Sequence, residues 1–311
     1  MALKFVHIIN PFHTEPSSTG AKIQAITAEC MRRAAREYGE NNVTLVSAQY
    51  AEDADAIPGG FLKTENLTRS LREISNIPSK KKLPLIGDIL QKLEPFTDAD
   101  YCIYTNTDIS PLPFFYSAVA SLLEKSGCDA LIINRRRIPE ELIDSPLEVL
   151  YSEKGESHPG YDCFVFRREL ISKFDFGNVA VGIPGIGFIF AHNLFLRAKS
   201  CKVLYDLHLT FHLGMEIVKP WSSKEEVEFQ HREIRAFLQR HKPEFEVSKF
   251  PGYHFPFFKR HFFWLMNPLF LYPMMLRLDA NKLWDGRKIV RNNNEEIFAK
   301  EWSSGQMNFN K

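Results

Sequence analysis

Asn106 and Asp108 stand two residues apart at the end of the segment YCIYTNTD (101–108), close enough in the chain for their side-chain oxygens to share one hard cation. A cation there would carry the phosphates of a nucleotide. Capping of the next helix is the plainer use of the same pair. His158 and Asp162, in HPGYD, put an acid/base pair beside a strand entrance, with Gly160 permitting close backbone approach; a turn held by Asp162 is the competing reading. Arg135, Arg136 and Arg137 are consecutive, and guanidinium groups grip phosphate or carboxylate in a bidentate way, although at least one of them is expected to make a structural ion pair. Gly182-Ile-Pro-Gly185-Ile-Gly187 leads into an apolar helix, an entry that presents backbone N–H groups around Gly185 to an anion; the spacing is neither a dinucleotide nor a P-loop signature. Beyond the last clear strand, His208 and His212 would face one side if the chain there is extended, and an imidazole in that place could complete a coordination sphere begun at Asp108, against the commoner structural role of a histidine near a strand end.

The elements that must position these residues follow from pattern. Tyr101–Tyr104 is a short run of β-formers that stops at polar residues and is followed by Pro111 and Pro113, so it reads as a buried strand delivering Asn106 and Asp108 to its carboxyl end. That edge is where open α/β sheets bind ligands. Phe5–Ile9, Val43–Val46, Cys128–Ile133, Cys163–Phe166 and Lys202–Tyr205 read as further strands, the last being the final clear one. Ile23, Ile26, Cys30 and Ala34 recur at helical spacing behind a Ser/Thr start signal. Helices are also expected around Asn66–Ile74, from Leu85 to about Leu93, over Phe114–Leu123, Phe188–Leu196 and Ser222–Arg240, and within Pro139–Glu156. The alternation begins β-loop-α-β, the opening of a parallel sheet.

Charge excludes some partners. The 311-residue chain carries 39 Lys+Arg against 38 Asp+Glu, without a polybasic tail, so nucleic acid is not expected as a main partner. The segment MALKFVHIIN reads as a strand rather than a signal peptide, and the expected location is the cytoplasm, with a peripheral membrane position as the alternative. Five scattered cysteines without CxxC spacing suit small core residues in a reducing compartment. Lys80 and Lys81, in a basic turn, read as a solvated run, with a place near phosphates as the alternative. Phe250–Leu278 is rich in aromatics, and its apolar runs are too broken by prolines for a membrane span. Packing on the main domain or on a dimer partner is the expected use of this segment, and contact with a membrane interface is the alternative. Residues from Arg291 onward read as a loosely held end.

Taken in order, the βαβ opening, the strand ending in Asn106-Thr107-Asp108, the Gly160/Asp162 turn before a later strand, and His212 beyond the last strand resemble a GT-A fold nucleotide-sugar glycosyltransferase, over about residues 4–215. Asn-Thr-Asp stands there as a variant of the Asp-x-Asp motif. The resemblance implies an α/β, GT-A-like, mostly parallel Rossmann-like central sheet flanked by helices. It implies a nucleotide-sugar-binding and catalytic domain over 1–215, with a helical, aromatic-rich C-terminal extension, 216–311, packed on it. It implies Mn²⁺ or Mg²⁺, a nucleotide-sugar donor and a glycan or lipid-linked acceptor. By position, Asn10, Pro11 and Phe12 would meet the base and ribose, Lys82 and Asp88 the nucleotide, and Asp108, helped by Asn106, the metal on the diphosphate. His212 would be the late metal ligand, Arg135 to Arg137 helpers at the leaving group, and Asp162 the base of an inverting reaction. Asn106 departs from the motif and removes one negative charge from the cation site, or bonds the ribose instead. That departure suits the alternative, a non-catalytic nucleotide-sugar-binding or scaffold protein; Asp108, Asp162 and His212 suit the enzyme. A nucleotidyltransferase ranks last, because Pro11–Gly20 holds one glycine and no basic residue besides His13.

Overall fold

The protein is described by a computed structural model over residues 2–77, 79, 81–158, 160–205, 207–216 and 222–266. Lys80, the apolar run beyond Met266 and the segment from Arg291 lie outside the described residues. In chain order the elements are β1 (Phe5–Ile9), α1 (Thr19–Tyr38), β2 (Val43–Ser47), β3 (Leu62–Lys63), α2 (Leu71–Ile74), α3 (Ile86–Gln91), β4 (Tyr101–Thr105), β5 (Ser110–Pro111) and α4 (Phe115–Ser126). They continue with β6 (Ala130–Ile133), β7 (Arg136–Ile138), α5 (Leu147–Ser152), β8 (Glu156–Ser157), β9 (Cys163–Arg167), α6 (Ile186–Arg197), β10 (Cys201–Leu204), β11 (Thr210–Leu213), α7 (Lys224–His241) and α8 (Phe257–Met266).

Two sheets result. The larger has seven strands in the order β10-β6-β9-β4-β1-β2-β3, parallel throughout except for β9, which runs antiparallel to both β4 and β6. The expected α/β class, a mostly parallel sheet flanked by helices, is the one observed. β1, β4 and β9 are apolar at nearly every position because both faces of the sheet are covered. Successive residues point to opposite faces. Val6, Ile8, Cys102, Tyr104, Phe164 and Phe166 thus pack with Ile89 of α3, Phe190 of α6 and Phe237 of α7, while Phe5, Ile9, Tyr101, Ile103, Cys163 and Val165 pack with Met31 of α1 and Val119 of α4. α6 is buried over Phe188–Phe195, as a helix apolar all round must be. His7 is the polar exception in the central strand. Burial pushes its imidazole down to about 3, and the neutral ring is satisfied by Tyr116 Oη at 2.8 Å and Thr105 Oγ1 at 2.9 Å.

The smaller sheet has the order β5-β11-β7-β8 and was not foreseen, since Lys202–Tyr205 read as the last clear strand. Its strands are two to four residues long, too short for a periodic signal, and they exist because β11 pairs with β5 on one side and β7 on the other. Two expected helices are also shorter than the pattern implied. Only Leu71–Ile74 of the Asn66–Ile74 stretch is helical, and Pro139–Glu156 divides into a 3₁₀ turn (Glu140–Asp144), the six-residue α5 and β8.

α7 lies across the first cluster through Ile234, Phe237 and Leu238, and Phe245, Phe250, Phe263 and Trp264 extend the same cluster into α8. α7 begins with a complete capping box: Glu226 N donates to Ser223 Oγ at 3.2 Å and Ser223 N to Glu226 Oε2 at 2.8 Å. Ser223→Ala is expected to cost about 1 kcal/mol of stability, read as a lower urea midpoint at unchanged m-value.

Candidate functional site

β4 stops at Thr105 because Asn106-Thr107-Asp108 turns the chain out of the large sheet and into β5 of the small one. That small sheet gathers the polar groups. β5 pairs antiparallel with β11, which carries His212; β11 pairs parallel with β7, setting His212 opposite Arg137; β7 pairs antiparallel with β8, which runs into His158. His158 is held there by its N–H on Arg135 O at 3.0 Å and by its carbonyl, which accepts from Asn134 Nδ2 at 2.9 Å.

The resulting contacts are close. His212 Nε2 lies 3.3 Å from Asp108 Oδ2, and His212 Nδ1 lies 3.3 Å from Gly214 O. If Nδ1 donates to that carbonyl, Nε2 either carries a proton toward the carboxylate or shares a cation with it. Arg135 donates through Nη1 to Asp162 Oδ1 at 3.0 Å, and His158 Nε2 stands 3.9 Å from Asp162 Oδ2. Among the described residues, Asp108 Oδ1, Asp162 Oδ2, His158 Nδ1, Arg135 Nε and Arg137 Nε are buried without a hydrogen-bond partner. Buried polar atoms are normally paired, so this concentration of open donors and acceptors at one edge suits a polar ligand. Tyr104 reaches the same place from beneath, its Oη donating to Asn106 Oδ1 at 2.9 Å.

Electrostatics divides the two carboxylates. Burial alone would push Asp108 up, but the hydrogen bond and charge of His212 and the charge of Arg135 outweigh it and hold the group below the usual carboxylate range. Asp162 is raised, by burial first; Arg135 opposes, the Asp108 charge adds, and burial prevails. Burial pushes His158 well down, and the charges of Arg135, Arg137 and His212 push the same way, so its ring is neutral at pH 7. The sign on stability follows. Ionised Asp108 contributes stability that is present above about pH 3.9, the ordinary aspartate value, and is lost as pH falls through the depressed one. Raised Asp162 acts oppositely: stability falls as pH rises from the ordinary value through the raised one. Asp108→Asn is therefore expected to lose less stability than the parent on acidification below about pH 4, and Asp162→Asn to lose less on the rise above it, both read from urea midpoints across pH.

The three arginines have separate settings. Arg136 donates to Lys154 O and, at 2.9 Å, to Gly155 O. Arg137 donates to Met215 O and, at 2.9 Å, to Glu156 Oε2, with burial lowering its pKa. Arg135 faces Asp162. Gly185 caps α6 at φ 123°, and a Cβ there would lie 2.6 Å from Ile234 Cδ1; a Cβ on Gly187 would lie 2.7 Å from Tyr161 O. The glycines thus let the start of α6 close against α7 and against the residue preceding Asp162.

The remaining sequence-selected residues form a second group, at the ends of β1 and β2. Asn10 donates to Ala48 O at 2.7 Å, Pro11 is buried, and Phe12 is 43% exposed with its N–H on Gln24 Oε1 at 3.2 Å. His13 N donates to Asp53 Oδ1 at 2.8 Å. Lys82 reaches Glu52 at 2.7 Å and sits 4.2 Å from the centre of the Tyr50 ring. Asp88 is paired with Arg69 through both carboxylate oxygens, and Tyr50 Oη donates to Arg69 O at 2.7 Å. Sequence reading passed over Tyr50, Glu52, Arg69 and Tyr104. Tyr104 carried a signal, since period two puts it on the face of Asn106; Arg69 is 19 residues from Asp88 and carried none. No group of three or more His, Cys, Asp or Glu among the described residues is placed to hold a metal ion by itself.

No protein-family profile matches the sequence. No curated protein matches it either. Among solved structures, the chain is similar to S. aureus TarS 1–349 in complex with UDP-GlcNAc, at TM-score 0.44 and 11% identity over 86% of this chain and 79% of that one. It is also similar to glucosyl-3-phosphoglycerate synthase from Mycobacterium tuberculosis in complex with Mn²⁺, UDP and glucosyl-3-phosphoglycerate, at TM-score 0.43 and 15% identity over 76% and 80%.

Proposed function

We propose that the chain is a GT-A-type glycosyltransferase that moves a sugar from a nucleotide-sugar to a hydroxyl acceptor with the help of a divalent cation. The observation that carries this reading is the convergence of Asp108 and His212, 3.3 Å apart at the carboxyl end of β4, beside the Arg135–Asp162 pair. A cation fits the donor set: a carboxylate whose Oδ1 is buried without a partner among the described residues, and an imidazole nitrogen facing its other oxygen. Asp108 and His212 would hold a Mn²⁺ or Mg²⁺, and a cation there would supply charge neutralisation at the diphosphate.

The chain's own groups do the rest. The Asn10–Phe12 loop, Lys82 and the Asp88–Arg69 pair frame the nucleoside end. Arg135 and Arg137 each keep a buried Nε without a hydrogen-bond partner among the described residues, a donor that an anionic oxygen would satisfy. Arg135 fixes Asp162 Oδ1 and leaves Oδ2 to accept the acceptor proton, and the raised pKa makes that carboxylate a better base than a solvated aspartate. In a single displacement the bond from the sugar anomeric carbon to the diphosphate oxygen breaks with its electron pair on oxygen. The acceptor oxygen bonds that carbon and its proton passes to Asp162. Neutral His158, beside Oδ2, orients the acceptor.

Calorimetric titration with UDP-, GDP- and dTDP-sugars, with and without Mn²⁺, tests the reading. Metal-dependent binding of one donor, followed by sugar release to an acceptor screen, is expected. Binding without turnover would make the chain a nucleotide-sugar-binding protein, and no binding by folded protein would overturn the donor site.

A further inference from the structure

α8 presents an apolar face that no described residue covers. Phe257, Phe258, Phe262 and Leu265 are 57%, 85%, 62% and 51% exposed, and at 100° per residue positions 257, 258, 261, 262 and 265 share one side of the helix. The rest of the helix is fixed: Phe263, on the far side, and Trp264, at the edge of the exposed face beside Phe257, are buried in the main cluster, and Trp264 Nε1 donates to Pro251 O at 2.7 Å. The exposed aromatics therefore project from a docked helix, with Tyr253, 42% exposed, in the turn that leads to it.

Charge selects the occupant. Between Phe250 and Leu278 the chain carries Lys259, Arg260 and Arg277 and no aspartate or glutamate, while Lys249, just before, is paired with Glu246 at 3.1 Å. Lys259 Nζ lies 4.8 Å from the Phe255 ring centre, and the Arg260 guanidinium 5.0 Å from that of Tyr253 and 5.5 Å from that of Trp264, so the cations are held at the border of the aromatic patch. A second copy docked face to face would bring like charges together, and the apolar run 267–278 offers this border another cation and no carboxylate. Exposed aromatics bordered by cations match the headgroup layer of an anionic bilayer, where rings enter the acyl boundary and cations meet lipid phosphates. No helix among the described residues is long and apolar enough to cross a membrane, so the contact is peripheral.

We infer that the α8 face, Phe257, Phe258, Phe262 and Leu265 bordered by Lys259 and Arg260, docks the protein on anionic lipid. The inference stands apart from the donor site, since binding to vesicles requires neither nucleotide nor metal. The test is co-sedimentation of the full chain with vesicles of pure phosphatidylcholine and of phosphatidylcholine with phosphatidylglycerol, beside light scattering in their absence. Binding to the anionic vesicles about tenfold or more above the neutral ones is expected. Phe258→Ser with Phe262→Ser, and separately Lys259→Glu, are expected to lower it at least about fivefold at unchanged melting temperature, because these side chains are exposed. Equal binding to both vesicle types would overturn the charge argument. Absent vesicle binding overturns the inference, whether light scattering shows a dimer dispersed by the same substitutions or a monomer whose α8 exchange protection reports cover by residues 267–311.

Discussion

Asp108→Ala is expected to abolish metal-dependent donor binding and to lower sugar transfer by about a thousandfold, the upper end of what removing one electrostatic element from a developing anion costs. The carboxylate is the only acidic group facing His212 Nε2 among the described ion pairs, and its Oδ1 has no other partner there, so its work is directed outward rather than into the fold. Its side chain is 39% exposed, which lets alanine replace it without opening the core. Circular dichroism should therefore stay near the parent, and the melting temperature should fall only by what the ionised carboxylate contributes through His212 and Arg135, while calorimetry with Mn²⁺ and donor goes flat. Asn106→Asp gives the complementary result. Tyr104 Oη would still find an acceptor, and the added charge beside Asp108 should tighten Mn²⁺ binding. An Asp108→Ala protein retaining more than about a tenth of the parent rate would end the case for this carboxylate at the leaving group.

The parts of this arrangement that could be read in the sequence are those with a local signal. β1, β4 and β9 are short apolar runs that end in polar residues, α7 carries a helical stripe, and α1 carries both a stripe and a Ser/Thr start, of which Ser18 accepts the capping backbone hydrogen bond. The small sheet had no such signal. β5 is two residues including a proline, β8 is two residues, and the four-residue β11 follows β10 so closely that His212 reads as lying beyond the last clear strand. Only tertiary pairing of β11 with β7 and β5 explains why residues from 108, 135, 158, 162 and 212 meet. Three consecutive arginines likewise gave no sign of their different settings, because residues alternate across β7 and each finds a partner distant in sequence. The Asp88–Arg69 pair shows the same limit: the family resemblance named the carboxylate, and only the fold supplied the guanidinium.

Phe190→Ala is expected to cost about 3–5 kcal/mol of stability, the largest loss foreseen for a single apolar side chain here. Phe190 is fully buried, and its ring stacks on Phe164 with centroids 4.1 Å apart at 8° and lies 5.7 Å from Tyr104 at 17°. Phe166, Phe174 and Phe176 surround it at 5.6, 5.9 and 5.2 Å. Alanine would leave a cavity bounded by rigid rings that themselves lie between sheet and helix, so the site can collapse only partly and the cavity cost remains. The location ties this loss to the site. Phe164 lies two residues after Asp162, and Tyr104 holds Asn106 through its hydroxyl, so Phe190 is the shared floor beneath the ends of β4 and β9. Phe190→Leu, which refills most of the volume, is expected to recover more than half of the stability. Urea unfolding of the parent and the two variants separates the outcomes: a loss below about 1 kcal/mol for alanine would mean that neighbouring rings close over the gap and that the strand ends do not depend on this contact.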